Sequence, residues 1–239
     1  RYGTGQSTMD GIVRATDHAQ QPPEGFARND YSRRQPMNTN NSLLLVASMN
    51  GFWHVYDAAV YTHVTQLPGM AGDAEPQWHP TDPDLLFYLP NNGLGMKLLE
   101  LNVRTGLSRV VADFGARLKT FWPDAAAAWT KSEGSPSADA RYWCFMVDDA
   151  KWTSLGVFTW DAATDSIIGT YATRGDRPDH VSMSPSGKYC VVSSNGPRGT
   201  VAFTRDFSEQ RQLLHRSEHS DLAFDAHGDD VYVSKCGGR

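Results

Sequence analysis

Ser184-Pro185-Ser186-Gly187-Lys188-Tyr189-Cys190-Val191-Val192 sets a tight polar turn directly before an apolar, β-branched run. Proline and glycine mark places where the backbone reverses, and so short an apolar run suits a strand rather than a core helix. The unit recurs along the chain. Gln35 to Asn41 precedes Leu43-Leu44-Leu45-Val46-Ala47, and His79-Pro80-Thr81-Asp82-Pro83-Asp84 precedes Leu85 to Leu89. Ser135 to Ala140 precedes Tyr142 to Val147, and Asp225 to Asp229 precedes Asp230-Val231-Tyr232-Val233. A period of about 40 to 56 residues belongs to a four-stranded propeller blade more naturally than to a helical repeat.

Working outward, a third strand ends each time in Asp or Asn: Trp53 to Asp57, Leu98 to Asn102, Val157 to Asp161. The side chains of Asp57, Asn102 and Asp161 are expected to cap the following turns through the backbone. Turns at Arg104-Thr105-Gly106 and Ala163-Thr164-Asp165 then lead to outer strands such as Ser108 to Val111 and Ser166 to Gly169. No long helix is required. Ala125-Ala126-Ala127-Ala128, bounded by Pro123 and Thr130, reads as a single helical turn or a loop between blades. The expected fold is an all-β propeller of four-stranded antiparallel blades in one domain over 1–239, with units near 30–70, 71–114, 120–172, 173–215 and a partial one at 216–239. Four units plus fragments imply either a small ring or part of a larger one.

Composition narrows the partners. The 239 residues are 40% hydrophobic and 21% charged, which is globular, and the formal charge is -5. No basic run exceeds Arg33-Arg34, so nucleic acid and anionic membrane are poor partners, and no apolar stretch is long enough to insert in a bilayer. Cys144, Cys190 and Cys236 are too few for a disulfide framework. Cys144 and Cys190 fall in core strands and read as small buried hydrophobes, while the state of Cys236 stays open. Gly93-Leu94-Gly95 lacks a following phosphate-loop lysine, and neither Gly-x-Ser-x-Gly nor His-Glu-x-x-His occurs. Asp73-Ala74-Glu75-Pro76 departs from the calcium-hand spacing and reads as a capped start of a blade.

The Ser184–Val192 pattern, with the later Asp-x-x-Thr turns, resembles the TolB-like propeller repeat over most of residues 30 to 235. Within that group the chain looks most like the secreted or periplasmic propellers of the oligogalacturonate-lyase type. That resemblance implies β-elimination on an acidic, uronate-containing oligo- or polysaccharide. It also implies a divalent metal, Mn or Ca, held by histidines at the inner strands, for which the matching positions are His79, His180 and His219. The sequence has no His-x-His pair.

The spacing carries content of its own. His180 lies five residues before Pro185 and His219 seven before Ala226, so both open an inner strand, where strands from distant repeats converge. His79, adjacent to Pro80, serves either this group or its own turn. Elimination requires a cation to stabilise charge at the carboxylate, a base at C5 and an acid at the leaving oxygen. The expected roles are His180 as base, Tyr31 as acid, Arg33 or Arg177 as the bidentate carboxylate clamp, and His219 as orienting group or ligand. Trp122, Trp129 and Trp152 fall near expected loops, where an exposed indole would stack on sugar rings. A non-catalytic propeller that binds carbohydrate or protein is the alternative reading.

Overall fold

Four antiparallel sheets of four strands each follow one another in the computed structural model, which describes residues 15–17, 19–31, 33–131 and 134–234. The first contains β1 (Ala27–Arg28), β2 (Leu43–Ser48), β3 (Phe52–Asp57) and β4 (His63–Ala71). The second contains β5 (Gln77–Trp78), β6 (Leu85–Tyr88), β7 (Lys97–Asn102) and β8 (Ser108–Asp113). A short helix, α1 (Gly115–Phe121), leads to the third: β9 (Ala125–Trp129), β10 (Tyr142–Asp149), β11 (Ser154–Asp161) and β12 (Ser166–Ala172). The fourth holds β13 (Pro178–Met183), β14 (Tyr189–Ser194), β15 (Thr200–Thr204) and β16 (Gln210–Leu214), and β17 (Ser220–Phe224) pairs with β18 (Asp230–Ser234). Strand order within each sheet follows the chain, so each is an up-and-down meander, and together they are the blades of an all-β propeller.

Burial explains the patterning. Trp143 to Val147 in β10 are buried on both faces, because the third blade packs between neighbours, whereas β8 and β12 on the rim are half exposed. One apolar cluster joins Phe114, Phe145, Phe158 and Trp160 across blades; another joins Leu43, Leu45, Trp53, Val55 and Leu67 to Leu86 and Leu101. The recurring turns fasten the first blade to the second, the third to the fourth, and the fourth to the β17–β18 pair. Asn38 Nδ2 donates to Pro83 O at 2.9 Å and Thr39 Oγ1 to Pro80 O at 2.9 Å. Ala138 N donates to Pro185 O at 2.8 Å, and the Asp230 carboxylate accepts from Ser184 Oγ at 2.8 Å and Ser186 N at 2.9 Å. The expected caps form as well: Asp57 Oδ1 accepts from Ala59 N, Asn102 Oδ1 from Arg104 N, and Asp161 Oδ1 from Ala163 N.

Two expectations are corrected. Ala125–Trp129 is neither a helical turn nor a loop but the innermost strand of the third blade. Alanine suits it because a neighbouring backbone approaches closely: Leu94 bridges Ala127, and a Cβ on Gly93 would lie 2.0 Å from Ala128 O. Cys144 and Cys190 are not separate thiols. They are bonded to each other, joining β10 to β14 with Cα atoms 5.7 Å apart, a normal span for a disulfide. Residues 1–5 and Cys236 lie outside the described residues.

Candidate functional site

The inner strands of three blades depart from regular pairing, and the departures carry the ionisable residues. In the first blade Arg28 opposes Ala47, yet the next bridge sets Met37 opposite Leu44, nine positions against three. The surplus chain holds Asp30, Tyr31, Arg33 and Arg34. In the third blade Trp129 opposes Met146, but Ser137 N next bonds Tyr142 O at 2.9 Å, so the surplus includes Thr130, Lys131 and Gly134. In the fourth, Pro178 opposes Ser194 while His180 opposes Ser193, a one-residue bulge at Asp179. Bulges of this kind re-aim side chains that a regular strand would leave within the sheet.

Hydrogen bonds join these segments. Thr130 donates from both N and Oγ1 to Glu75 Oε2 at 2.9 Å, and Gln77 Nε2 donates to Gly134 O at 2.8 Å. Val181 N donates to Thr130 O at 3.2 Å. Gly134 is required here, since a Cβ would stand 1.9 Å from Val181 O. The fourth blade's inner strand is thereby set directly against the third's.

The ionisable groups meet on this frame. Lys131 Nζ pairs with Asp179 Oδ1 at 3.0 Å, and Asp179 Oδ2 accepts from Ser217 Oγ at 3.0 Å. Ser217 Oγ in turn bonds Ser193 Oγ at 2.8 Å. Burial pushes the Asp179 carboxyl up, but the hydrogen bonds from Lys131 and Ser217 outweigh it and leave it below the usual carboxylate range. Asp179 Oδ2 lies 3.8 Å from His180 Nδ1. His180 is 2% exposed, and burial, helped by the charges of Arg33, Lys131 and His219 against the opposing pull of Asp179, pushes its imidazole down to about 3. Tyr31 OH hydrogen-bonds His219 Nδ1, with ring centroids 5.7 Å apart. Tyr31 and Arg33 of the first blade, His180 of the fourth and His219 just before β17 thus come to one place, joined by Lys131 and Asp179. Sequence reading missed the last two. Asp179 could have been noticed as the acid beside His180; Lys131 gave no signal.

Other expected members are engaged differently. Arg177 Nη2 bonds Asp148 Oδ2 at 2.9 Å, and the same oxygen accepts from Trp129 Nε1 at 2.9 Å. Asp148 is wholly buried, so Arg177 compensates a charge in the core. His79 Nδ1 accepts from Asp82 N at 3.0 Å and Thr81 N at 3.3 Å, closing its own turn. Arg34 pairs with Asp30 at 3.2 Å and donates to Pro76 O at 2.8 Å, bracing the first blade against the second. Trp129 is in the core and Trp122 and Trp152 pack against it, so none of the three offers an exposed sugar platform.

A divalent ion does not fit the donor set. Among the described residues no three of His, Cys, Asp and Glu could hold one. His79 is used in its turn, His219 Nδ1 is taken by Tyr31, and His180 sits in the field of Arg33 and Lys131, which repels a further cation. The expected His79, His180 and His219 metal set is therefore not assembled.

No protein-family model matches the sequence, and no curated protein matches it. Solved structures share its shape. An oligogalacturonate lyase in complex with manganese matches at 16% identity and a TM-score of 0.61, over 89% of this chain and 61% of that one. The oligogalacturonate lyase of Vibrio parahaemolyticus matches at 13% and 0.60, over 88% and 57%. A putative TolB from Agrobacterium tumefaciens matches at 14% and 0.55, over 89% and 71%. The chain spans 61% and 57% of the two lyases' lengths. Likeness at these identities concerns the fold: this is a β-propeller related in fold to TolB and oligogalacturonate-lyase-type proteins.

Proposed function

We propose that the protein is a polysaccharide lyase acting on a uronate-containing glycan by β-elimination. The observation that carries this reading is the meeting of two cations, Arg33 and Lys131, with the hydrogen-bonded Tyr31–His219 pair around one inner-strand site. Elimination needs both parts. The cations bind the uronate carboxylate and stabilise the charge that develops when the α-proton leaves, and the phenol–imidazole pair exchanges protons with C5 and the leaving O4. His219 is exposed and can reach a sugar, whereas His180 is buried and too weakly basic for efficient proton abstraction. The base role therefore passes from His180 to the Tyr31–His219 pair, and His180 becomes an uncharged floor beneath the cations. Arg33 remains the carboxylate clamp, with Lys131 in place of Arg177.

The fold likeness to oligogalacturonate lyases supports this reading, and the Cys144–Cys190 disulfide favours an oxidising compartment, secreted or periplasmic. The test is incubation with a panel of polyuronates, following ultraviolet absorbance of the unsaturated product, with His219→Ala, Tyr31→Phe and a chelator control. Product that both substitutions abolish is expected. Binding of an acidic glycan without product from any member of the panel would replace the lyase with a non-catalytic carbohydrate-binding propeller.

A further inference from the structure

The outermost strands of the third and fourth blades line a common groove on the rim, at the opposite edge of each sheet from the candidate site. Its volume of about 690 Å³ is within the range of ligand sites, and its walls include Thr170 and Tyr171 of β12 and Gln210 and Gln212 of β16. Two arginines complete it: Arg174, just after β12, and Arg198, in the loop between β14 and β15. No Asp or Glu is among the lining residues, in a chain whose formal charge is -5.

We propose that this groove is a second binding subsite for an acidic polysaccharide, holding the carboxylates of uronate units that extend beyond the reaction site; the inference rests on the substrate reading given above. Arg174 and Arg198 offer planar donor forks that match a carboxylate, while the Gln210 amide and the Thr170 hydroxyl offer donors and acceptors to sugar hydroxyls. Three inter-strand spacings, about 14 Å, separate the outermost strand of a blade from its innermost. A polymer can therefore engage the rim and the candidate site together. The chain itself makes that connection, since residues 173–177 lead from the end of β12 to Asp179 and His180.

The groove is built rather than a chance meeting of surface cations. The Arg198 guanidinium lies over the Tyr171 ring, 5.2 Å from its centroid, and Nε is 3.9 Å from Asp176 Oδ2. Its terminal amino groups make no hydrogen bond among the described residues and are left for a ligand. The Arg198 carbonyl accepts from Gln212 Nε2 at 2.9 Å. Gly199 has a φ of +62°, and a Cβ there would stand 2.3 Å from Leu214 O, so this loop is pressed against β16. Ser194 Oγ donates to Asp176 Oδ1, which ties the loop carrying Arg174 to the strand that leads to Arg198. Cations held in this way lose less freedom when a ligand binds. Arg174 makes no ion pair among the described residues, so its charge is available.

The experiment measures binding of polygalacturonate and alginate by calorimetry at low ionic strength, in the full chain carrying His219→Ala so that product formation does not consume the ligand. Adding Arg174→Gln and Arg198→Gln together should weaken binding of the preferred polymer roughly 10-fold, a loss that shrinks as salt is added. Arg174→Gln alone, which breaks no contact within the protein, guards against misfolding and should give part of the loss. The methyl ester of the same polymer, which lacks the charge, should bind with and without the arginine substitutions alike. Neither polymer bound, equal affinity with and without the two arginines, or an equally large loss with the ester overturns the proposal. Polymer binding that depends on both arginines, with no product from the chain that retains His219, would keep this subsite and remove the lyase.

Discussion

Replacing Cys144 and Cys190 together by alanine removes the one covalent cross-link between the third and fourth blades among the described residues. The bond joins positions 46 apart in sequence and so restricts a long loop in the unfolded chain. In the chain-entropy account, closing a loop of that length is worth about 4 kcal/mol at 25 °C. For a chain of this size that corresponds to a melting temperature lower by roughly 8–16 °C. Both cysteines are buried, at 1% and 0% exposure, so reductant cannot reach the bond without prior opening, and the double variant is a cleaner perturbation than added thiol. Urea unfolding followed by tryptophan fluorescence measures the loss directly. A thiol count supplies the control: the unfolded, unreduced chain should show one reactive thiol, and three after reduction. Three thiols without reduction, or a double variant within about 1 kcal/mol of the parent, would refute the reasoning. The Lys131–Asp179 pair spans the same two blades, so on the proposed lyase reading product formation should fall with stability.

Acid should destabilise the fold. His180 is held near 3 in the native protein against 6.5 for an ordinary imidazole, so between those values the unfolded chain binds more protons. Stability is then complete above pH 6.5 and declines as pH falls toward 3, by up to about 1.4 kcal/mol per pH unit from this group. Urea midpoints measured from pH 7 to 4.5 should show the slope and His180→Gln should flatten it; an identical slope in that variant contradicts the assignment. Arg177→Ala should cost about 3 kcal/mol, since it leaves the Asp148 carboxylate buried without its counter-charge. Asp148→Asn in the same chain should recover part of the loss in a thermal melt. If Arg177→Ala melts like the parent yet abolishes turnover, Arg177 is a substrate clamp after all. Gly134→Ala forces a Cβ against Val181 O, and a loss of about 1–3 kcal/mol is expected by calorimetry. An unchanged melt would mean that the third and fourth inner strands are not in contact there.

Much of the frame was legible because it depends on local chemistry. Ser184 to Gly187 and its counterparts are turns whatever surrounds them, and Leu43 to Ala47, Tyr142 to Val147 and Tyr189 to Val192 are strands because each is a short, apolar run directly after a turn. Ala125–Trp129 was misread for the opposite reason. Its conformation is imposed by the close approach of Gly93 and Leu94, a tertiary constraint that overrides alanine's helical preference. The disulfide was hidden similarly, since no spacing rule connects Cys144 to Cys190 until β10 and β14 are adjacent. Within the site, Tyr31, Arg33, His180 and His219 were visible by their position ahead of the repeated turns. Lys131 was not, because a surplus of residues in an inner strand leaves no mark on hydrophobic periodicity. Arg177 and His79 have the right residue types at the right places, and only their partners, Asp148 and the 79–82 turn, reveal structural duties.

The surplus residues around Asp30, Tyr31, Arg33 and Arg34 and around Thr130, Lys131 and Gly134 lie on innermost strands, whereas the outer strand pairs of these two blades are interrupted only by shorter irregularities. In the first and third blades, framework and ionisable side chains are thereby carried by separate parts of the repeat. A frame of this kind can carry different sets of side chains at small cost to folding. The shape it shares with an oligogalacturonate lyase, at 16% identity, is accordingly a likeness of framework.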